Sequence, residues 1–94
     1  MAESKALNPA PVEIELTDTD GKKKKFTGVI LTRKNFKEIL EREEEIGKIT
    51  TIDLVYEFMA LYFGGIADDY TDYDFRAVRA AVDLFKKDLQ NPTI

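Results

Sequence analysis

Cysteine and histidine are both absent from the 94 residues. The first absence excludes disulfides and thiolate chemistry. The second removes the commonest general base, the commonest metal ligand and the only side chain that titrates unperturbed near neutral pH. Serine occurs once, as Ser4, so no serine nucleophile motif exists. A glycine-rich phosphate loop is missing too: the one glycine pair, Gly64-Gly65, follows a helical pattern, whereas a phosphate loop follows a strand. Catalysis would have to run on carboxylates, lysines, tyrosines and hydroxyls. The reading taken is a protein with no catalytic site and no cofactor. No apolar run reaches the length of a membrane span, and the N-terminus lacks the charged-then-apolar layout of a signal peptide. A cytoplasmic protein that makes no membrane contact is therefore expected.

What remains is an ordinary globular composition, 44% hydrophobic and 34% charged, on a chain long enough for one domain. The formal net charge of −4 is unevenly placed. Residues 1–50 carry 10 Lys and Arg against 10 Asp and Glu, and residues 51–94 carry 4 against 8. All of the excess negative charge lies in the second half. A nucleic-acid binder needs a basic face to neutralise phosphates, and the chain as a whole lacks one. No nucleic-acid partner is expected.

Along the chain, residues 1–11 hold two of the three prolines and no period, and read as a flexible leader. Val12 to Thr17 alternates apolar with polar residues, the pattern of a strand with one buried face. Asp18-Thr19-Asp20-Gly21 supplies a turn. A second extended run goes from Lys22 through Phe26 to Val29, Ile30 and Leu31, completing a β-hairpin. Thr32 then caps a helix over Arg33–Ile46 with Phe36, Ile39, Leu40 and Ile46 on one stripe, and Gly47 stops it. Thr50-x-x-Asp53 opens a second helix that runs from Ile52 to Phe63 and ends at Gly64-Gly65. Thr71-x-x-Asp74 opens a third, from Asp72 to about Leu89, with Phe75, Val78, Val82, Phe85 and Leu89 as its seam. Asn91-Pro92 closes the fold, leaving residues 91–94 as a tail. The expected architecture is α+β, a hairpin followed by three helices in a single domain over residues 12–90.

Each conspicuous cluster has a structural reading beside the functional one. Lys22 to Lys25 would suit an anion, but lysines at a hairpin end also discourage edge-to-edge pairing, and a solvated end is preferred. Asp18, Asp20 and Gly21, and separately Asp68, Asp69, Asp72 and Asp74, lack the spacing of a calcium loop. The first group is read as a turn. Asp72 and Asp74 are placed in the first turn of the third helix, where negative charge suits the dipole. Glu41, Glu43, Glu44 and Glu45 crowd the end of the first helix where the dipole disfavours them. Pairs Glu38–Arg42 and Glu44–Lys48 relieve this in part. The remainder is a solvated face or a docking patch for a basic partner.

The second helix is the informative element. Only Asp53 and Glu57 are charged between Ile52 and Phe63, and apolar side chains cover well over half the wheel. Two readings stay open: a central helix wrapped on most sides, or a helix whose spare face meets another chain. The flank of Leu54, Phe58 and Leu61, with Tyr62, is the candidate partner surface. Tyr70 and Tyr73 beside the third helix would extend it as an adaptable groove for a helical ligand.

The order of features resembles that of the small tail assembly chaperones of long-tailed phages and prophages of Gram-positive bacteria. The residues carrying the resemblance are the Asp-Gly turn, the lysine-rich return strand ending in Phe26-Thr27, Arg33-Lys34-Asn35-Phe36-Lys37-Glu38-Ile39-Leu40, the acidic stretch after it, and Asp53-Leu54-Val55-Tyr56-Glu57-Phe58 closed by Gly64. The likeness spans roughly Val12 to Leu89. Where members of that family commonly show Phe-Thr before an acidic helix start, this chain has Tyr70-Thr71-Asp72 after a longer Gly65–Asp69 insertion. The resemblance implies a non-structural helper that binds the tape measure protein before the tail tube polymerises around it. It also implies a longer frameshifted form that recruits tail tube subunits. Two other classes stand beside it. One is a structural tail or capsid component retained in the particle, the other a small DNA-binding regulator using the hairpin lysines.

Overall fold

The computed structural model describes residues 11–90. The expected leader lies outside the described residues except for Pro11, and the tail with Asn91-Pro92 lies wholly outside them. The architecture is α+β: β1 (Glu13–Thr17) and β2 (Lys23–Thr27) form an antiparallel hairpin, and α1 (Arg33–Ile46), α2 (Asp53–Phe63) and α3 (Phe75–Gln90) follow. A short 3-10 helix, Ala67–Tyr70, joins α2 to α3.

The hairpin forms as the alternation requires. Asp18 builds the turn: its Oδ1 accepts the backbone N–H groups of Asp20 and Lys22, both at 2.9 Å. Register pairs Ile14 with Phe26 and Leu16 with Lys24 on the inward face, and Glu15 with Lys25 on the outward face. The second strand ends at Thr27, four residues short of the expected Leu31. Gly28 is buried against Phe85, and the next amide, Val29 N–H, bonds to the Tyr62 carbonyl at 2.8 Å. The chain thus leaves its ladder to dock on the end of α2.

Thr32 caps α1 as expected, its Oγ1 accepting the Asn35 N–H at 3.1 Å. The starts of the other two helices differ from the sequence pattern. At α2, Thr50 makes no cap; Thr51 Oγ1 accepts the Asp53 N–H at 3.3 Å. At α3, Thr71 instead donates to the Asp68 carbonyl at 3.0 Å. Asp74 is the N-cap and accepts the Arg76 N–H at 2.8 Å. The delay has a packing cause. Tyr70 and Tyr73 both set their rings against Phe26 of β2, 5.3 and 5.7 Å between centroids, so the chain is held in the 3-10 turn and a bend before α3 begins. Asp72 consequently precedes the helix, outside its first turn.

The core centres on α2, with Tyr56, Phe58, Met59, Tyr62 and Phe63 buried. Tyr62 lies between Phe58 and Phe85 in a stack, 4.4 Å from the Phe85 ring centroid. Val78, Ala81, Val82 and Phe85 supply the α3 side. Leu16 closes the core from the hairpin, and Ile39 and Ile46 from α1. Each large aromatic ring buried this way removes 150–250 Å2 from water, so the stack dominates the stability. The stripe expected on α1 is only half used: Phe36 and Leu40 are exposed. No helix among the described residues is long and apolar enough to cross a membrane.

Candidate docking surface

The six side chains singled out from the sequence divide evenly. Phe58, Tyr62 and Tyr70 are buried. Phe58 sits beneath the Lys86 ammonium, 4.1 Å from its ring centroid. Tyr62 donates its hydroxyl to the Glu43 carboxylate of α1. Tyr70 donates to the Gly64 carbonyl at 2.5 Å. These three are core residues that fix α1, α3 and the 3-10 helix to α2, and as packed they offer little side-chain surface to another molecule. Leu54, Leu61 and Tyr73 are partly exposed.

Burial and the facing carboxylate raise the Tyr62 hydroxyl pKa well above the ordinary tyrosine value. Burial is also the main cause of the upward shift at Tyr70, with Asp69 and Tyr73 adding to it. Three carboxylates of the acidic clusters are engaged in local bonds. Asp18 holds the hairpin turn, Asp69 accepts the Ile66 N–H at 3.0 Å, and Asp74 accepts from Arg76. Among the described residues, the ion pairs are Arg42–Glu45 at 2.7 Å and Arg76–Asp74 at 3.0 Å. The expected Glu38–Arg42 and Glu44–Lys48 pairs do not form, because Arg42 turns toward Glu45 and Lys48 lies beyond the end of α1. Among the described residues no group of three carboxylates is arranged to hold a metal ion.

Of the sequence-selected side chains, Leu61 lines a groove among the described residues. It joins Ala60 and Glu57 of α2, Gly65, Ile66 and Ala67 of the following turn, and Arg42 of α1 around a space of about 360 Å3. Ile66 stands 62% exposed at its rim. The geometry follows from Gly64, whose φ of 90° and ψ of 172° are open to glycine alone. That reversal swings Ile66 and Ala67 back beside Ala60 and Leu61. The lining is mixed: apolar from Leu61, Ile66 and two alanines, with one charge of each sign from Arg42 and Glu57. Glu41, Glu44 and Glu45 are exposed on α1, and Asp68 and Asp69 on the 3-10 helix. An apolar side chain with basic neighbours fits such a place.

Sequence reasoning missed Ile66 and Arg42. Ile66 had one visible signal, a lone large apolar residue between a glycine pair and an acidic run. Arg42 had none, since its place in the groove depends on how α1 crosses α2. Comparison with protein-family models, with curated proteins and with solved structures finds no match to this chain.

Proposed function

We propose that this chain is a protein-binding helper of the tail-assembly-chaperone kind, which holds an apolar segment of the phage tape measure protein until the tail tube forms around it. The supporting observation is the groove at Leu61 and Ile66. It is a cleft of about 360 Å3 that keeps a large apolar side chain in water although a well-packed core lies behind it. The binding element is an amphipathic helix of the partner, whose apolar residue enters between Leu61 and Ile66 and whose lysines or arginines meet the acidic flanks. In this reading the chain works in the host cytoplasm and is absent from the finished particle, and a longer form, where made, brings tail tube subunits.

The test is co-expression with a tape measure candidate from the same genome, scoring solubility and co-purification. Ile66→Asp should abolish capture, with a circular dichroism spectrum and melting temperature close to the parent's, since Ile66 is exposed. Capture by the parent and by Ile66→Asp alike would reject the groove. Failure of the parent to capture or solubilise the partner would reject the chaperone reading itself.

A further inference from the structure

The sheet is two strands wide, so it has an edge on either side. Two bonds set the phase of the ladder: Gly28 N–H to the Val12 carbonyl at 2.7 Å, and Asp18 N–H to the Lys22 carbonyl at 2.9 Å. With this register the even-numbered pairs exchange hydrogen bonds and the odd-numbered pairs do not. Glu13, Glu15 and Thr17 therefore turn their N–H and C=O groups away from β2. Among the described residues no backbone bond reaches them from elsewhere, and all three are exposed. Their side chains share the outward face, while Ile14 and Leu16 point to the core. Among the described residues neither Glu13 nor Glu15 is in an ion pair.

We infer that the β1 edge takes up an extended segment of a partner protein in which lysine or arginine alternates with apolar residues. The unbonded backbone groups give such a segment its main-chain partners, as in strand addition generally. Its basic residues would lie beside Glu13 and Glu15, and its apolar residues beside half-buried Ile14. The β2 edge would repel the same segment, because Lys23, Lys24 and Lys25 occupy it in succession. A second copy of this chain is disfavoured as occupant on two grounds. β1 against β1 would set Glu13 and Glu15 on one face with the same glutamates. β1 against β2 of the next copy would repeat every two strands, about 10 Å, where the smallest dimension of the molecule is 20 Å. This surface is separate from the groove at Leu61 and does not depend on it.

The experiment is an amide NMR titration of the full chain with a nine-residue peptide alternating lysine and valine. A glutamate–valine peptide serves as control. The Glu13, Glu15 and Thr17 amides should shift and gain protection from exchange with the first peptide only, and affinity should fall about tenfold between 50 and 300 mM salt. Glu15→Pro removes an outward N–H without touching the ladder, and should abolish binding. Glu13→Lys with Glu15→Lys should reverse the preference toward the glutamate–valine peptide, which an unfolded variant would not do. The inference fails if the shifts fall on the acidic face of α1, if Glu15→Pro or the charge reversal leaves binding unchanged, or if no shifts occur. It fails equally if those amides are already protected in the free chain, since another segment or copy then covers the edge.

Discussion

A methyl group at Gly28 would stand 2.8 Å from Cε2 and 3.0 Å from Cδ2 of Phe85. The ring cannot give way, because it is held in the stack with Tyr62 and packed against Phe63. Gly28→Ala is expected to destabilise the protein by about 1–3 kcal/mol through overpacking, read as a lower urea midpoint at unchanged slope. A midpoint equal to the parent's would mean that the hairpin is not clamped there. Tyr62 makes the second case. Its hydroxyl is buried and donates to Glu43, so its pKa lies above that of an unfolded chain's tyrosines. A group raised in this way contributes stability that is fully present below the unfolded value of about 10 and is lost as pH rises beyond it. In an alkaline titration followed by tyrosine absorbance, Tyr62 should ionise only together with unfolding. Tyr62→Phe should weaken that alkaline transition. If all four tyrosines titrate before the fold is lost, the buried bond is not what the geometry implies. Neither feature was legible in the sequence. A glycine after a strand and a glutamate late in a helix acquire their meaning only from residues far along the chain.

At the scale of elements the sequence was more informative, because hairpin turns and helix stripes are local. Asp18 to Gly21 and the span of α1 appear as the residue types require. The error lay where two elements compete for the same residues: Thr71 has the chemistry of a cap, but Tyr70 and Tyr73 are drawn to Phe26 and the start of α3 moves to Asp74. Hydrogen bonds from Arg76 lower the Asp74 carboxyl to about 2. Its contribution is present above the unfolded value near 4 and disappears as pH falls through about 2. Carbon-detected NMR of the carboxyl should show that midpoint, and Asp74→Asn should remove the matching loss of α3 helicity in acid. A midpoint near 4 would show the cap to be unformed. The breadth of apolar surface on α2 was equally plain in the sequence, but its meaning was not. A helix wheel cannot distinguish a wrapped helix from one awaiting a partner. Phe58 decides the matter for its own position, since it is 8% exposed between Tyr62 and Lys86. Phe58→Ala should cost about 3–5 kcal/mol, measured by chemical unfolding. A cost below 1 kcal/mol would return Phe58 to the surface.

Across the whole molecule the three helices are unequally held. Five of the α2 residues are buried and four of the α3 residues, against Ile39 and Ile46 alone on α1. The Tyr62–Glu43 bond adds one polar tie, while Phe36 and Leu40 face water. Regions with few buried apolar contacts open at lower free energy than the core they rest on. α1 also supplies Arg42, one wall of the groove, so opening of α1 widens the place where a partner's side chain would enter. On the proposed function, weak packing of α1 would admit a helix larger than the resting groove accepts. Native-state hydrogen exchange tests the sequence of events. Amides within α1 should exchange through a sub-global opening, about 1–3 kcal/mol below the global free energy that governs α2 and α3. Binding of the partner should raise α1 protection toward that of the core. If α1 exchanges only with global unfolding, the groove is rigid and admits only what already fits it. If α1 opens early but gains no protection in the complex, the partner binds on another face.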